Sequence, residues 1–134
     1  MINSLLINAL RANAAFSAAT GSILVVASVP VSSWLGIATW ISIGLGLGLI
    51  GFAAILVMLA RDPQPALVRA VIGADAAWVI GAVIVISVFP DLMSTSGLWA
   101  LGLVSVVVAD IAVAQYVGLR RLDDHLGVRE PVHL

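Results

Sequence analysis

The chain has 134 residues, of which 62% are hydrophobic and 10% are charged, and its formal net charge is −1. This composition excludes an ordinary soluble domain, and the charge offers no basic surface to nucleic acid. There is no cysteine and no lysine, and both histidines, His125 and His133, lie in the polar C-terminal stretch. We therefore expect no disulfide, no Schiff base, no metal site and no cofactor.

Four hydrophobic segments follow one another along the chain, each with at least the roughly 20 residues that cross a hydrocarbon core. They cover residues 5–29, 34–60, 66–89 and 98–119. The links between them are short, so consecutive helices should be antiparallel neighbours. The sequence predicts an all-α membrane protein: residues 1–119 form a four-helix transmembrane bundle, and residues 120–134 form a short polar cytoplasmic tail.

The arginines indicate how the bundle is oriented. All of them fall on one side of a four-helix topology, at Arg11, Arg61, Arg69, Arg120, Arg121 and Arg129. The opposite side carries only Asp91. Because short loops rich in arginine remain in the cytoplasm, we expect both termini to be cytoplasmic.

A short similarity relates the two halves of the chain. Val25–Pro30 resembles Val85–Pro90 at an offset of 60 residues. At the same offset, Leu59 matches Leu119 and Arg61 matches Arg121. A duplicated hairpin with an even number of spans would give a parallel repeat. Chance similarity between valine-rich helices explains the match equally well.

Small residues mark one face of the second segment. Gly44 and Gly48 form a G-x-x-x-G pattern, which allows close approach of two helices in lipid. We expect this face to pack within the bundle, or alternatively against another copy of the chain.

Two aspartates interrupt the third and fourth segments. Asp75 lies ten residues after Pro65, and Asp110 lies ten residues before Arg120. At 1.5 Å per residue, both should lie about 15 Å from the cytoplasmic end of their helix, near the midplane. A carboxylate there costs roughly 2.5–3.5 kcal/mol on insertion scales and usually faces the bundle interior. The sequence therefore predicts a pair of functional aspartates.

Arg11 is the candidate partner of this pair. Its side chain either reaches inward to a carboxylate or extends to the headgroups. With an arginine between them, one aspartate can stay protonated while the other is ionised, as general acid–base chemistry requires. The predicted catalytic residues are therefore Asp75, Asp110 and Arg11.

Other polar and aromatic side chains are candidates for substrate binding. They are Trp78, Asn13, Ser17 and Gln115. Each amide or hydroxyl, taken alone, is more simply explained as a structural contact, because polar side chains between membrane helices contribute about 0.6 kcal/mol on average.

Several short stretches resemble a group of small bacterial four-helix integral membrane proteins to which no activity is attached. The stretches are Arg11–Ser17, Gly21, Trp34–Gly36, Ala60–Arg61, Asp75–Val79, Gln115 and Gly118–Arg120. The resemblance implies a four-helix bundle in a bacterial inner membrane, and it carries no catalytic role.

We therefore expect a multi-pass protein of the inner (cytoplasmic) membrane, and three functions remain open. The first is an enzyme or binder for a small lipophilic molecule, with acid–base chemistry of the hydrolase, isomerase or cyclase type. The second is a proton-coupled carrier or pore, oligomeric because four helices enclose a narrow lumen. The third is an accessory subunit without chemistry. The expected partners are the lipid bilayer, a lipophilic ligand and further copies of the chain, but no nucleic acid.

Overall fold

A computed structural model describes the backbone of residues 4–129 and the side chains of residues 4–121 and 124. Every regular element in this part of the chain is helical. The elements are α1 (Ser4–Val26), α2 (Ser28–Leu35), α3 (Thr39–Arg61), α4 (Pro65–Val88), a 3-10 turn (Pro90–Leu92) and α5 (Thr95–Arg129). Four of the helices, α1, α3, α4 and α5, are long and apolar enough to cross a membrane. The prediction of four spanning helices is confirmed in this sense, and the chain has the character of a membrane protein.

Prolines set two of the helix ends. Pro30 has no N–H to donate to the carbonyl of Val26, and its ring crowds that carbonyl, so α1 ends there and α2 restarts at Ser28. Pro90 follows the end of α4 in the same way. The expected loop after the first segment is thus a short helix, which ends at Gly36 in the left-handed conformation, φ 74°.

The last helix is longer than the hydrophobic pattern indicates. The fourth segment was expected to end at residue 119, but α5 continues to Arg129. The part of α5 that is apolar enough to span a membrane is Thr95–Arg121. Residues 130–134 and the side chains of His125 and His133 lie outside the described part of the chain.

Helices α1 and α3 cross at a pair of glycines. A Cβ added to Gly21 would lie 2.7 Å from the carbonyl oxygen of Gly46, and one added to Gly46 would lie 2.6 Å from that of Gly21. Ser42 Oγ also donates to the Leu24 carbonyl at 2.8 Å. The expectation that Gly44 and Gly48 pack within the bundle is wrong, because the face of α3 that meets α1 is the opposite one. Gly44 and Gly48 are exposed, and a Cβ added to either would meet no atom of a neighbouring element within 4 Å.

The long helices form an open arc. The order around the arc is α3, α1, α5, α4, with extensive packing between each neighbouring pair. The backbones of α3 and α4 hardly approach each other, although a short link joins them. The bundle therefore has a gap between α3 and α4.

The gap is closed at one end of the bundle by a hydrophobic core. We call this the inner end; it holds the start of α1 and the link between α3 and α4. Its buried residues are Leu6, Leu10, Ala14, Leu56, Leu59, Ala60, Val68, Val71 and Leu119. Gly118 of α5 permits this packing, since an added Cβ would lie 2.7 Å from the Leu6 Cβ.

At the opposite, outer end, α2 is fastened to the start of α5. Ser94 Oγ and Ser96 Oγ donate to the Trp34 carbonyl at 2.6 and 2.7 Å. Ser94 Oγ also accepts the Gly97 N–H at 3.0 Å, which caps α5. A Cβ on Gly97 would collide with the Leu35 carbonyl, so this close approach requires glycine. These contacts hold α2 across the outer end of the bundle.

Candidate functional site

A buried polar cluster lies directly above the core of the inner end. Asn13 Nδ2 donates to Asp75 Oδ2 at 2.9 Å and to Gln115 Oε1 at 2.8 Å. Gln115 Nε2 donates to the same Asp75 oxygen at 3.1 Å, and Ser17 Oγ donates to Asn13 Oδ1 at 3.2 Å. All four side chains are at least 95% buried, since their exposed fractions are 3%, 3%, 5% and 0% for Asn13, Ser17, Asp75 and Gln115. The cluster ties α1, α4 and α5 together.

One carboxyl oxygen of Asp75 makes no hydrogen bond within the cluster. Both N–H groups of the Asn13 amide and one of the Gln115 amide are used within it. Asp75 Oδ2 accepts two of these bonds, whereas Oδ1 has no hydrogen-bond partner among the described residues. Asp75 also lines a mostly apolar cavity. The carboxyl group is therefore held on one side and has hydrogen-bonding capacity to spare.

This cavity occupies the gap between α3 and α4 and has a volume of about 710 Å³. Asp75, Asn13 and Ser17 line it toward the inner end, and residues of α2 such as Val31 and Leu35 line it toward the outer end. Between them its walls are almost entirely apolar. They include Leu45 and Leu49 of α3, Ala77, Gly81 and Val85 of α4, and Leu101 and Val104 of α5.

Aromatic rings line the cavity close to the polar cluster. Phe16 and Trp78 lie one helical turn beyond Asn13 and Asp75, and Phe52 joins them from α3. The Trp78 indole nitrogen is buried without a hydrogen-bond partner in the described part of the chain. Burying a donor without a partner costs about 1–3 kcal/mol. Packing, and not a hydrogen bond, therefore holds this ring in place.

The predicted aspartate pair is not assembled. Asp110 is exposed and does not line the cavity. It precedes Gln115 by five residues, which places it about 140° around α5 and about 7.5 Å nearer the outer end. Since Gln115 bonds Asp75 directly, Gln115 and not Asp110 lies at the depth of Asp75. The depth estimate was wrong because α5 continues past Arg120, which therefore does not mark the helix end.

Arg11 also lies outside the polar cluster. It is exposed and lines a groove of about 430 Å³ between α1 and α3, beside Ala14 and Ala54. Arg11 and Asn13 are two residues apart on a helix and so point about 160° apart. Because Asn13 faces the bundle interior, Arg11 faces away from it, and the aspartate–arginine–aspartate set does not form. The structure thus brings together Asn13, Ser17, Asp75, Gln115 and Trp78, but neither Asp110 nor Arg11.

A sequence match that points to this site is visible once the contacts are known. Ala12-Asn13-Ala14-Ala15-Phe16 matches Ala74-Asp75-Ala76-Ala77-Trp78, at the separation of 62 residues that the Asn13–Asp75 hydrogen bond spans. In each of the two segments, the polar residue and the aromatic residue three positions later both line the cavity. An offset of 60 residues, which aligns the segments before Pro30 and Pro90, does not align Asn13 with Asp75.

Fold and site together define a class: a helical protein with four helices long and apolar enough to cross a membrane, and with an apolar cavity that has the carboxyl group of Asp75 at its inner end. Comparison with known proteins gives no match to a family model, to a curated protein or to a solved structure.

Proposed function

We propose that the protein binds a small lipophilic molecule in the cavity between α3 and α4, with Asp75 as its polar anchor. The observation that carries this proposal is the combination of a cavity of about 710 Å³, apolar walls and a carboxyl group with one unpartnered oxygen. Ligand sites in proteins typically have this composition, with many apolar contacts and few polar groups that fix orientation.

The shape of the site supports entrance from the bilayer. The inner end is filled by the hydrophobic core, and α2 lies across the outer end. The remaining side is the gap between α3 and α4, where Ala77 and Gly81 leave room. The core at the inner end and α2 at the outer end support a binder or enzyme over a pore.

The acid–base chemistry of two aspartates is not part of the proposal, because Asp110 is exposed on another face of α5. Among the described residues that line the cavity, Asp75 is the one acidic group. If the bound molecule reacts, Asp75 is the residue positioned to give or accept a proton.

We further propose that the protein lies in a bacterial inner membrane with both termini in the cytoplasm, as the arginine distribution favours. We also propose that α1–α3 and α4–α5 arose by duplication of a helical hairpin. The match between the Asn13 and Asp75 segments supports this: adding the same separation of 62 to Val26, the end of α1, gives Val88, the end of α4.

A cavity-filling pair of variants tests the binding proposal. Gly81 lines the cavity and Gly73 does not, and a Cβ added at either position meets no neighbouring atom within 4 Å. Trp34, Trp40 and Trp99 are exposed, so their replacement by Phe leaves Trp78 as the only indole. The probe is a short ω-bromoalkanol added to nanodiscs, because bromine quenches a nearby indole.

We expect saturable quenching of Trp78 in the parent and in Gly73→Leu, and a loss of most of it in Gly81→Leu. Equal quenching in all three proteins would mean that the alcohol reaches Trp78 from the lipid alone, and would refute the binding site. Circular dichroism establishes that both variants keep their helical content.

A further inference from the structure

We infer that the molecule bound in the cavity carries a protonated amine on an apolar chain, so that its cation pairs with Asp75. This inference rests on the proposed function and narrows it to one class of ligand, the lipophilic amines.

The first argument concerns the charge of the cluster. Asp75 Oδ2 accepts N–H groups from two amides, Asn13 and Gln115. Both donors are neutral, however, and no arginine side chain pairs with Asp75 among the described residues. A buried anion with hydrogen bonds but no cation retains most of its desolvation cost. An ammonium group beside Oδ1 would compensate that charge from within the cavity.

The second argument concerns the aromatic residues. Phe16, Phe52 and Trp78 line the same cavity as Asp75, two of them one turn from the polar cluster. Aromatic faces attract cations, most strongly when water is excluded. A carboxylate combined with several aromatic rings is the chemistry that recognises an amine.

The third argument concerns the other end of the ligand. Beyond the aromatic rings the cavity is lined by Leu45, Leu49 and Val85. These side chains offer no hydrogen bond, so the rest of the ligand is hydrocarbon. A molecule with one amine and one apolar chain satisfies both ends of the cavity.

The test compares two probes that differ only in their polar group: a short ω-bromoalkylamine and the ω-bromoalkanol of the same length. Quenching of Trp78 is measured in nanodiscs of neutral lipid, with the amount of each probe in the lipid determined separately. The variants are Asp75→Asn, which removes the charge at constant size, and Asp110→Asn, the same substitution outside the cavity. Phe16→Leu removes one aromatic face and does not depend on the folding of Asp75→Asn.

We expect the amine to bind about tenfold more tightly than the alcohol, as one charge-assisted contact allows. Asp75→Asn should abolish this preference, Asp110→Asn should preserve it, and Phe16→Leu should reduce it about threefold. Equal binding of the two probes to the parent protein would overturn the amine assignment and leave the binding function standing. A preference that survives Asp75→Asn would also overturn it, whereas absence of binding by either probe would refute the binding function itself.

Discussion

The polar cluster predicts an order of stability among three variants. Asn13 takes part in three hydrogen bonds, Gln115 in two and Ser17 in one. Replacing Asn13 by Leu keeps a side chain of similar size but removes all three. Of these bonds, those to Asp75 and Gln115 join different helices.

The magnitude follows from these contacts. A hydrogen bond between membrane helices is worth about 0.6 kcal/mol on average, so the two that leave α1 account for about 1.2 kcal/mol. The Gln115 oxygen is fully buried and would lose its donor, which adds about 1 kcal/mol or more. We expect Asn13→Leu to lower the free energy of unfolding by about 2–3 kcal/mol, Gln115→Leu by about 1–2 and Ser17→Ala by about 0.5.

Equilibrium unfolding in mixed micelles of a mild detergent and sodium dodecyl sulfate, followed by circular dichroism, measures these differences. Asn8 is the matched control, because it is an exposed asparagine on the same helix. Asn8→Leu should change the free energy by less than about 0.5 kcal/mol. If Asn13→Leu were as mild as Asn8→Leu, or if Ser17→Ala were the most destabilising, the hydrogen-bond network would not hold the helices together.

Three further predictions concern the rest of the bundle. Asp110→Leu should change the free energy of unfolding by less than about 0.5 kcal/mol, since this side chain is exposed in the folded protein and remains in detergent in the unfolded one; a loss of more than about 1 kcal/mol in the same unfolding assay would contradict its exposed position. Gly46→Leu should prevent the close crossing of α1 and α3, whereas Gly48→Leu should be tolerated because its position is open. Equal unfolding midpoints for these two would contradict the crossing. A cysteine at Pro65, or one in the C-terminal tail, should be labelled only from the cytoplasm of intact cells, and labelling from outside would reverse the orientation.

The sequence allows the helices to be predicted more reliably than the faces by which they meet. Length and hydropathy are sufficient to locate four spanning helices, and the proline positions predict where two of them end. The short helix α2 was not predicted, because Pro30 lies within its first turn, where a proline is tolerated, and so does not by itself indicate a loop.

The choice between Asp110 and Gln115 shows why the inward faces were harder to predict. In a soluble bundle, hydrophobic side chains would mark the face of α5 that is buried. In a membrane, lipid is as apolar as the protein interior, so valine and leucine occur on both faces. The insertion cost of a carboxylate favoured Asp110 over Gln115, and only the three-dimensional packing decides that Gln115 is buried and Asp110 exposed.

The hydrogen bond between Ser17 and Asn13 is a simpler case, because these two residues recur on one face of a single helix. Their spacing of four residues fixes their relation to each other without knowledge of any neighbouring helix. That Arg11 points away follows from the same geometry, since two residues advance a helix by about 200°. The prediction that Arg11 approaches the aspartates was wrong because it assumed that the long side chain could bend back toward the bundle interior.

The cavity exists because α1 and α5 are in contact along the bundle, whereas α3 and α4 come together only at the inner end. If α1 and α4 correspond, as the matching segments around Asn13 and Asp75 indicate, the contact of α1 with α5 would have a counterpart between α4 and α3. The first contact is made and includes Gly118 packed on Leu6. The second is nearly absent, and the apolar space lies in its place. The polar cluster lies where α1, α4 and α5 meet, and the open side between α3 and α4 provides the cavity.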